Sequence, residues 1–278
     1  MIKDIGKISG KVLVFGGPYS NYHAVTELQR IAENMNLRPD QVICTGDTVA
    51  YCAQPQETVH TIREWGIHVI AGNVEIQLFT RGNVCGCNVG YGTLCDILSR
   101  HWYTYARNAM TSDNLEWMGA LPGFLKFEIG DRKILIVHGG FDEIAEHIYH
   151  STPWERKQDQ LEKAGADIII GGHCGLPFMD HHGDRAWLNG GVLGMPANDG
   201  TPRVWYLTIE VEESGLRCTL HPMEYDFEKT AEKMEEVKLP KQYIQNIRTG
   251  IWPDMSQLPE LEQKMQGKPL SFESIHIK

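Results

Sequence analysis

The 278-residue chain has no surplus of positive charge: 26 Lys and Arg stand against 36 Asp and Glu, a formal net charge of −10. Binding a nucleic-acid polymer relies on clustered cations that displace counterions, so no such partner is expected. No run approaches the roughly 20 apolar residues of a membrane-spanning helix, and Met1–Ile5 carries no apolar leader. A cytoplasmic protein without a membrane partner is the expectation. The seven cysteines, at 44, 52, 85, 87, 95, 174 and 218, are odd in number and lack the spacing of a disulfide framework or a four-ligand zinc site. Reduced thiols are expected. Internal repeats and low-complexity segments are missing too, which leaves an ordinary globular composition, 42% hydrophobic and 22% charged. A small phosphorylated ligand stays compatible with the negative charge, because a bound metal supplies positive charge locally.

Five short apolar runs are present: Val12–Phe15, Gln41–Cys44, His68–Ala71, Lys133–Val137 and Asp167–Ile170. They read as strands buried on both faces, with helical patterns between most of them. Val25, Leu28, Ile31 and Met35 recur at helical spacing behind Ser20 or Asn21 as N-cap, and Pro55–Trp65, closed by Gly66, reads as a second helix. Residues 78–122 read as an insertion with helical patterns over Thr93–Arg107 and Asp113–Leu121. After residue 175 the period becomes two, through Leu176–Asp180, Ala186–Asn189, Arg203–Glu210 and Leu216–Leu220, as in antiparallel hairpins. A helical extension over 225–278 closes the chain, with helices at Phe227–Lys238 and Lys241–Thr249 and an unpatterned tail after Gly250. Hairpins that follow parallel βα units need a second layer over their apolar side. One domain spanning 1–278 is therefore expected, an α/β fold built as a four-layer α-β-β-α sandwich of two mixed sheets.

Ligands in open α/β sheets bind where the carboxyl ends of the strands deliver their loops. The five strands run into Gly16-Gly17, Thr45-Gly46-Asp47, Gly72-Asn73, His138-Gly139-Gly140 and Gly171-Gly172-His173. Four of the five thus deliver a residue that can coordinate a metal: Asp47, Asn73, His138 and His173. One carboxylate, one amide oxygen and two imidazoles suit Zn, Mn or Fe better than Ca or Mg.

Gly46-Asp47-Thr48-Val49-Ala50-Tyr51, with Pro55 and Glu57 after it, is similar to a Gly-Asp-x-Val-Gly-Tyr run, and Asn189-Gly190-Gly191-Val192-Leu193-Gly194-Met195-Pro196 to an Asn-Pro-Gly-Ser-Val-Gly-x-Pro segment. Both belong to the calcineurin-like metallophosphoesterases, in particular the bacterial branch related to small cytosolic phosphodiesterases, and the resemblance covers nearly the first 210 residues. It implies a sandwich of the metallophosphoesterase type and two metals bridged by Asp47, with Asn73, His138 and His173 completing the second metal's set. The family's first-metal ligands are replaced: Asp-x-His is here Gly17-Pro18-Tyr19, and Gly-His-x-His is Gly172-His173-Cys174-Gly175. Gly-Asn-His, whose His assists the leaving group, is Gly72-Asn73-Val74, so no general acid is identified. The losses sort by site, which points to one ion per chain. Tyr19 either supplies a phenolate or packs into the space of the lost ion.

Other residues admit a chemical and a plain reading. Cys85, Cys87 and Cys95, with Cys174 beside His173, could form a second metal or redox site, or be partly buried thiols on a tight loop at Gly86 and Gly90. Glu75 and His23 could serve as acid or base, or lie exposed on helices; His181 and His182 fit a solvated hairpin turn, and Trp65, Trp102 and Trp117 fit apolar helix faces. Three functions follow: a weakened single-metal phosphoesterase on small phosphomonoesters or phosphodiesters, an inactive phosphate- or nucleotide-binding regulator, and a thiol- or metal-dependent redox enzyme.

Overall fold

The computed structural model describes residues 1–87 and 92–278, with Cys95 described by its backbone alone. Two six-stranded mixed sheets face each other. One contains β1 (Ile2–Ile8), β5 (Phe124–Ile129), β6 (Arg132–Ile136), β7 (Ile168–Gly171), β9 (Arg185–Gly190) and β8 (Pro177–His182), in that spatial order. The other runs β12 (Ile275–Ile277), β11 (Gly215–Met223), β10 (Val204–Glu212), β2 (Lys11–Phe15), β3 (Val42–Cys44) and β4 (His68–Val69).

The side-chain alternation of a strand explains the layering. In β2, Val12 and Val14 face the opposite sheet, where they join Ile134, Ile136, Ile168 and Ile170 in the inter-sheet core. Leu13 and Phe15 point outward onto Leu28 of α1 (Tyr22–Asn34) and Ile62 and Trp65 of α2 (Pro55–Trp65). On the far side, Leu135 and Ile169 cover Leu161 of α6 (Trp154–Ala164). These strands are apolar on both faces because each separates two cores, which is why they read as continuous runs. Asn21, not Ser20, caps α1, accepting from Ala24 N at 3.2 Å.

Both sheets are mixed, as expected: β2, β3 and β4 lie in one and β6 and β7 in the other, while the β8–β9 and β10–β11 hairpins extend one sheet each. Strands β1 and β5 escape the sequence reading; β1 is a largely exposed edge strand whose Ile2, Ile5 and Ile8 recur every third residue, off the period of two. The tail past Gly250 is not wholly unpatterned: it holds the short α9 (Glu260–Gln263), and Ile275–Ile277 pairs with β11 at the sheet edge. Segment 78–122 carries α4 (Leu94–Ala109) and α5 (Ser112–Ala120), with α3 (Asn73–Phe79) just before, and α7 (Phe227–Glu236) and α8 (Lys241–Thr249) join the same core over the strand ends. Trp65 and Trp102 are buried and Trp117 partly so, all packed into apolar cores.

Candidate metal centre

The parallel pairings β2–β3–β4 and β6–β7 bring the carboxyl ends of both groups to one edge of the sandwich. Asp47 and Asn73 arrive from one sheet, His138 and His173 from the other. The approach depends on glycine: a Cβ on Gly72 would lie 2.1 Å from Asp47 Oδ1, and one on Gly46, whose φ is +97°, would lie 2.6 Å from Gly72 N. Asp47 itself has φ 55°, a left-handed conformation that an Asp adopts at some cost.

Glu75 holds that turn. Its fully buried carboxylate accepts from Asp47 N (2.8 Å), Thr48 N (2.7 Å), Thr48 Oγ1 (2.7 Å) and Gly72 N (2.8 Å). One side chain therefore fastens the Asp47 loop to the amino end of α3. Burial and the adjacent Asp47 push the Glu75 carboxyl above its usual range, against the pull of these donors. The expectation of an exposed helical Glu is corrected, and with its oxygens fully engaged Glu75 acts as a positioning residue.

His138 Nδ1 lies 2.7 Å from the Thr45 carbonyl, which can only accept, so Nδ1 carries the proton and Nε2 presents a lone pair. That lone pair points at Asn73 Oδ1 (2.8 Å), Asp47 Oδ2 (3.3 Å) and His173 Nδ1 (3.0 Å). The Asn73 orientation is fixed, since its Nδ2 donates to the Cys85 carbonyl at 2.9 Å. Ligand atoms of Asp47, His138 and His173 all lie within 4.8 Å of one another, and all three residues are buried. Acceptors facing each other in a buried site repel unless a cation or a proton sits among them. Burial opposes charging of His138, yet Asp47 raises its pKa, the same preference for positive charge. Burial, then His138 and His147, holds His173 neutral and well below its ordinary pKa. These residues fit a metal ion.

His147 was not foreseen. Its ring lies 4.4 Å from that of His173, and burial, followed by His138, lowers its pKa to about 4. It sits in a loop with no strand running into it, so the only signal was a His between two ligand loops. The other candidates stand apart. His23 is half-buried against Thr230 Oγ1 (3.1 Å). His181 and His182 end β8 rather than forming the turn, and His182 stacks on Trp154 at 4.3 Å. Cys85 and Cys87 are joined as a disulfide, which corrects the expectation of thiols there. Cys87 Sγ lies 3.5 Å from Asn73 Nδ2, beside the site rather than among its ligands. Cys174 is buried, 3.2 Å from Asn189 Nδ2, and burial pushes its thiol up to about 12. Gly90 and the Cys95 side chain lie outside the described residues.

Tyr19 is buried against Gly17 and Gly194 and meets Tyr51 edge-on at 4.9 Å. Burial first, and Asp47 second, raise its phenol far above its usual pKa. It occupies the place of a side chain at Gly17, where a Cβ would lie 2.2 Å from Tyr19 Cε1.

Residues 17–214 match the family model described as the calcineurin-like phosphoesterase superfamily domain. An uncharacterized protein of Methanocaldococcus jannaschii is 24% identical over 251 residues, 84% of this chain and 96% of that protein. Among solved structures, a hypothetical protein from Pyrococcus horikoshii superposes with a TM-score of 0.73 at 16% identity, covering 88% of this chain and 100% of that one. A metallophosphoesterase from Sphaerobacter thermophilus gives a TM-score of 0.68 at 20% identity with the same coverage, so the likeness to both is one of fold.

Proposed function

The chain belongs to the calcineurin-like phosphoesterase superfamily, and on that premise we propose that it hydrolyses small phosphomonoesters or phosphodiesters with a single ion of Zn, Mn or Fe, at reduced rate. The observation that carries this reading is the convergence of Asp47 Oδ2, Asn73 Oδ1 and His173 Nδ1 on His138 Nε2, all on buried residues. A bound ion supplies Lewis acidity toward a phosphoryl oxygen and lowers the pKa of a water at neutral pH. The protein's own part is orientation. The Thr45 carbonyl fixes the His138 tautomer, the Cys85 carbonyl fixes the Asn73 amide, and Glu75 fixes the Asp47 turn. Val74 is buried and offers only its backbone N–H, which donates to Asp47 Oδ1 at 3.1 Å. It cannot protonate a leaving group, a loss worth about 10²–10⁴ in rate.

Aryl esters, whose leaving groups depart without help, should therefore outpace alkyl esters by far more than in a relative that keeps the acid. Elemental analysis of protein purified without added metal, with turnover on p-nitrophenyl phosphodiesters and alkyl phosphates, tests this. One ion per chain and a steep aryl preference are expected. Two tightly held ions, or equal aryl and alkyl rates, would overturn it. The missing acid favours a second reading, a phosphate- or nucleotide-binding regulator, which predicts ligand binding with no turnover on any ester. We place the protein in the cytoplasm with a small phosphorylated partner. Among the described residues no helix is long and apolar enough to cross a membrane, and the net charge of −10 disfavours a nucleic-acid polymer.

A further inference from the structure

A cavity of about 120 Å³ opens over the metal ligands, with Asp47 and His173 among its lining residues. A cavity of roughly 150 Å³ accommodates a benzene ring, so the enclosed part is of single-ring scale at most and too small for a fused pair of rings. Its walls include Tyr51, Tyr149, Tyr243 and Trp252, surfaces on which a planar ring stacks. Tyr243 and Trp252 lie beyond residue 214, where the match to the family model ends.

Asn246 of α8 lines the same cavity. It is fully buried, and neither Oδ1 nor Nδ2 has a partner among the described residues. Buried carboxamides are as a rule hydrogen-bonded, and the contrast within this protein is sharp. Asn189, also buried, accepts from Gly191 N and donates to Cys174 Sγ, and Asn21 is fully engaged. Among the described residues Asn246 is the one buried carboxamide that keeps both its donor and its acceptor uncommitted, and it does so beside an aromatic-walled space.

We infer that this cavity takes the ring of a phosphoester bearing a pyrimidine-type nucleobase, and that Asn246 reads the donor–acceptor edge of that base. A carboxamide matches such an edge bidentately, and by turning over it accepts either order of donor and acceptor. The C-terminal helices thereby set substrate choice for a site built by the family fold. Placement of the phosphoryl group rests on the proposed hydrolase reading; recognition of the ring does not.

The test compares a ligand whose ring carries a donor–acceptor edge with one whose ring has none, and the Asn246 variants separate the ring edge from the sugar. Calorimetric titration of the purified chain with uridine 5′-phosphate and with phenyl phosphate should show the nucleotide binding roughly ten- to hundredfold more tightly. In Asn246→Leu, which keeps the volume and removes both polar atoms, that ratio should fall to about threefold or less. Its melting temperature should equal or exceed the parent's, since an unpartnered buried amide is removed. If Asn246→Leu does not fold, Asn246→Ser supplies the same ratio. Equal binding of the two ligands by the parent, a preference that survives both substitutions, or tighter binding of adenosine 5′-phosphate than of uridine 5′-phosphate would each overturn the inference. Turnover separates it from the reading beneath it, using the p-nitrophenyl esters of thymidine 5′-phosphate and phenyl phosphate, which share a leaving group. A binding preference without turnover removes the hydrolase and leaves the pocket; equal kcat/KM on both esters removes the pocket and leaves the hydrolase.

Discussion

Replacing Glu75 by Gln changes a single atom and should be among the most damaging substitutions in the chain. Oε2 accepts from Asp47 N and Gly72 N at 2.8 Å each, and Oε1 from Thr48 N and Thr48 Oγ1 at 2.7 Å each. A glutamine must turn its NH₂ toward one pair. Facing Asp47 and Gly72, it opposes two backbone donors that have nowhere else to go. Facing Thr48, it can donate to the hydroxyl, which leaves one backbone N–H stranded. The second arrangement is cheaper, yet it still buries one unpaired donor, at about 1–3 kcal/mol, and gives up the charge on the remaining bonds. A loss near 2–4 kcal/mol follows, or roughly 5–15 °C in melting temperature for a domain of this size. Because the same contacts orient Asp47, metal affinity should fall about 10–100-fold as well. Thermal unfolding by circular dichroism and metal titration measure both. A melting shift under about 2 °C with unchanged metal affinity would show that Glu75 does not hold the loop, and the account of the left-handed Asp47 would go with it.

Metal loading should respond to pH through His138, whose pKa is raised from its ordinary 6.5 by Asp47 against the effect of burial. Below that raised value a proton competes with the ion at Nε2, so apparent affinity should climb about tenfold per pH unit from pH 5.5 through 6.5 and level off only above the raised value. In the metal-free chain the sign reverses: the raised pKa contributes stability that is full below about 6.5 and disappears as pH rises through the folded value. Flat loading across that range would remove His138 from the ligand set. Cys85→Ser with Cys87→Ser should shift metal affinity threefold or less, because Asn73 Nδ2 is held by the Cys85 backbone carbonyl, which serine retains. A tenfold loss or a change in metal content would restore the cysteines as part of the site.

The ligand loops were legible because each combines two signals that physics ties together: a β-branched run buried on both faces, and a glycine-flanked polar residue where the run stops. Periodicity alone could not say that these strands belong to two sheets, since a strand covered by a helix on one side and a sheet on the other looks the same in either. Glu75 was misread for a related reason. A Glu at the third position of a short helix is ordinarily solvated, and only the folded chain shows the Asp47 turn lying across it. Asn246 carried no signal at all, as α8 packs into a core shared with Tyr51 and Trp102, far away in sequence, an arrangement no local pattern encodes.

The replacements that the family resemblance implies at the first metal position are physically linked, because Gly17 and Tyr19 share one space. Gly17 and Tyr19 replace an Asp and a His of the family pattern, and the Tyr19 ring lies where a Gly17 side chain would go, 2.2 Å from a Cβ built there. Restoring the carboxylate alone, Gly17→Asp, therefore forces the ring out of a packed pocket that also includes Gly194 and Tyr51, an overpacking that costs about 1–3 kcal/mol. Restoring both, Gly17→Asp with Tyr19→His, removes the clash. His tolerates the positive φ of 50° that Tyr19 adopts better than most residues do. A double-mutant cycle on stability should show the pair coupled by at least 1 kcal/mol in the relieving direction. The family's third ligand at this position is not so easily restored: Gly175 has φ +77°, and a Cβ there would touch the Trp252 ring at 3.4 Å. The double variant should accordingly gain at most a weak second ion while recovering its stability. Additive single effects would mean that Tyr19 moves freely, and a strongly bound second ion would mean that Trp252 does not close the position.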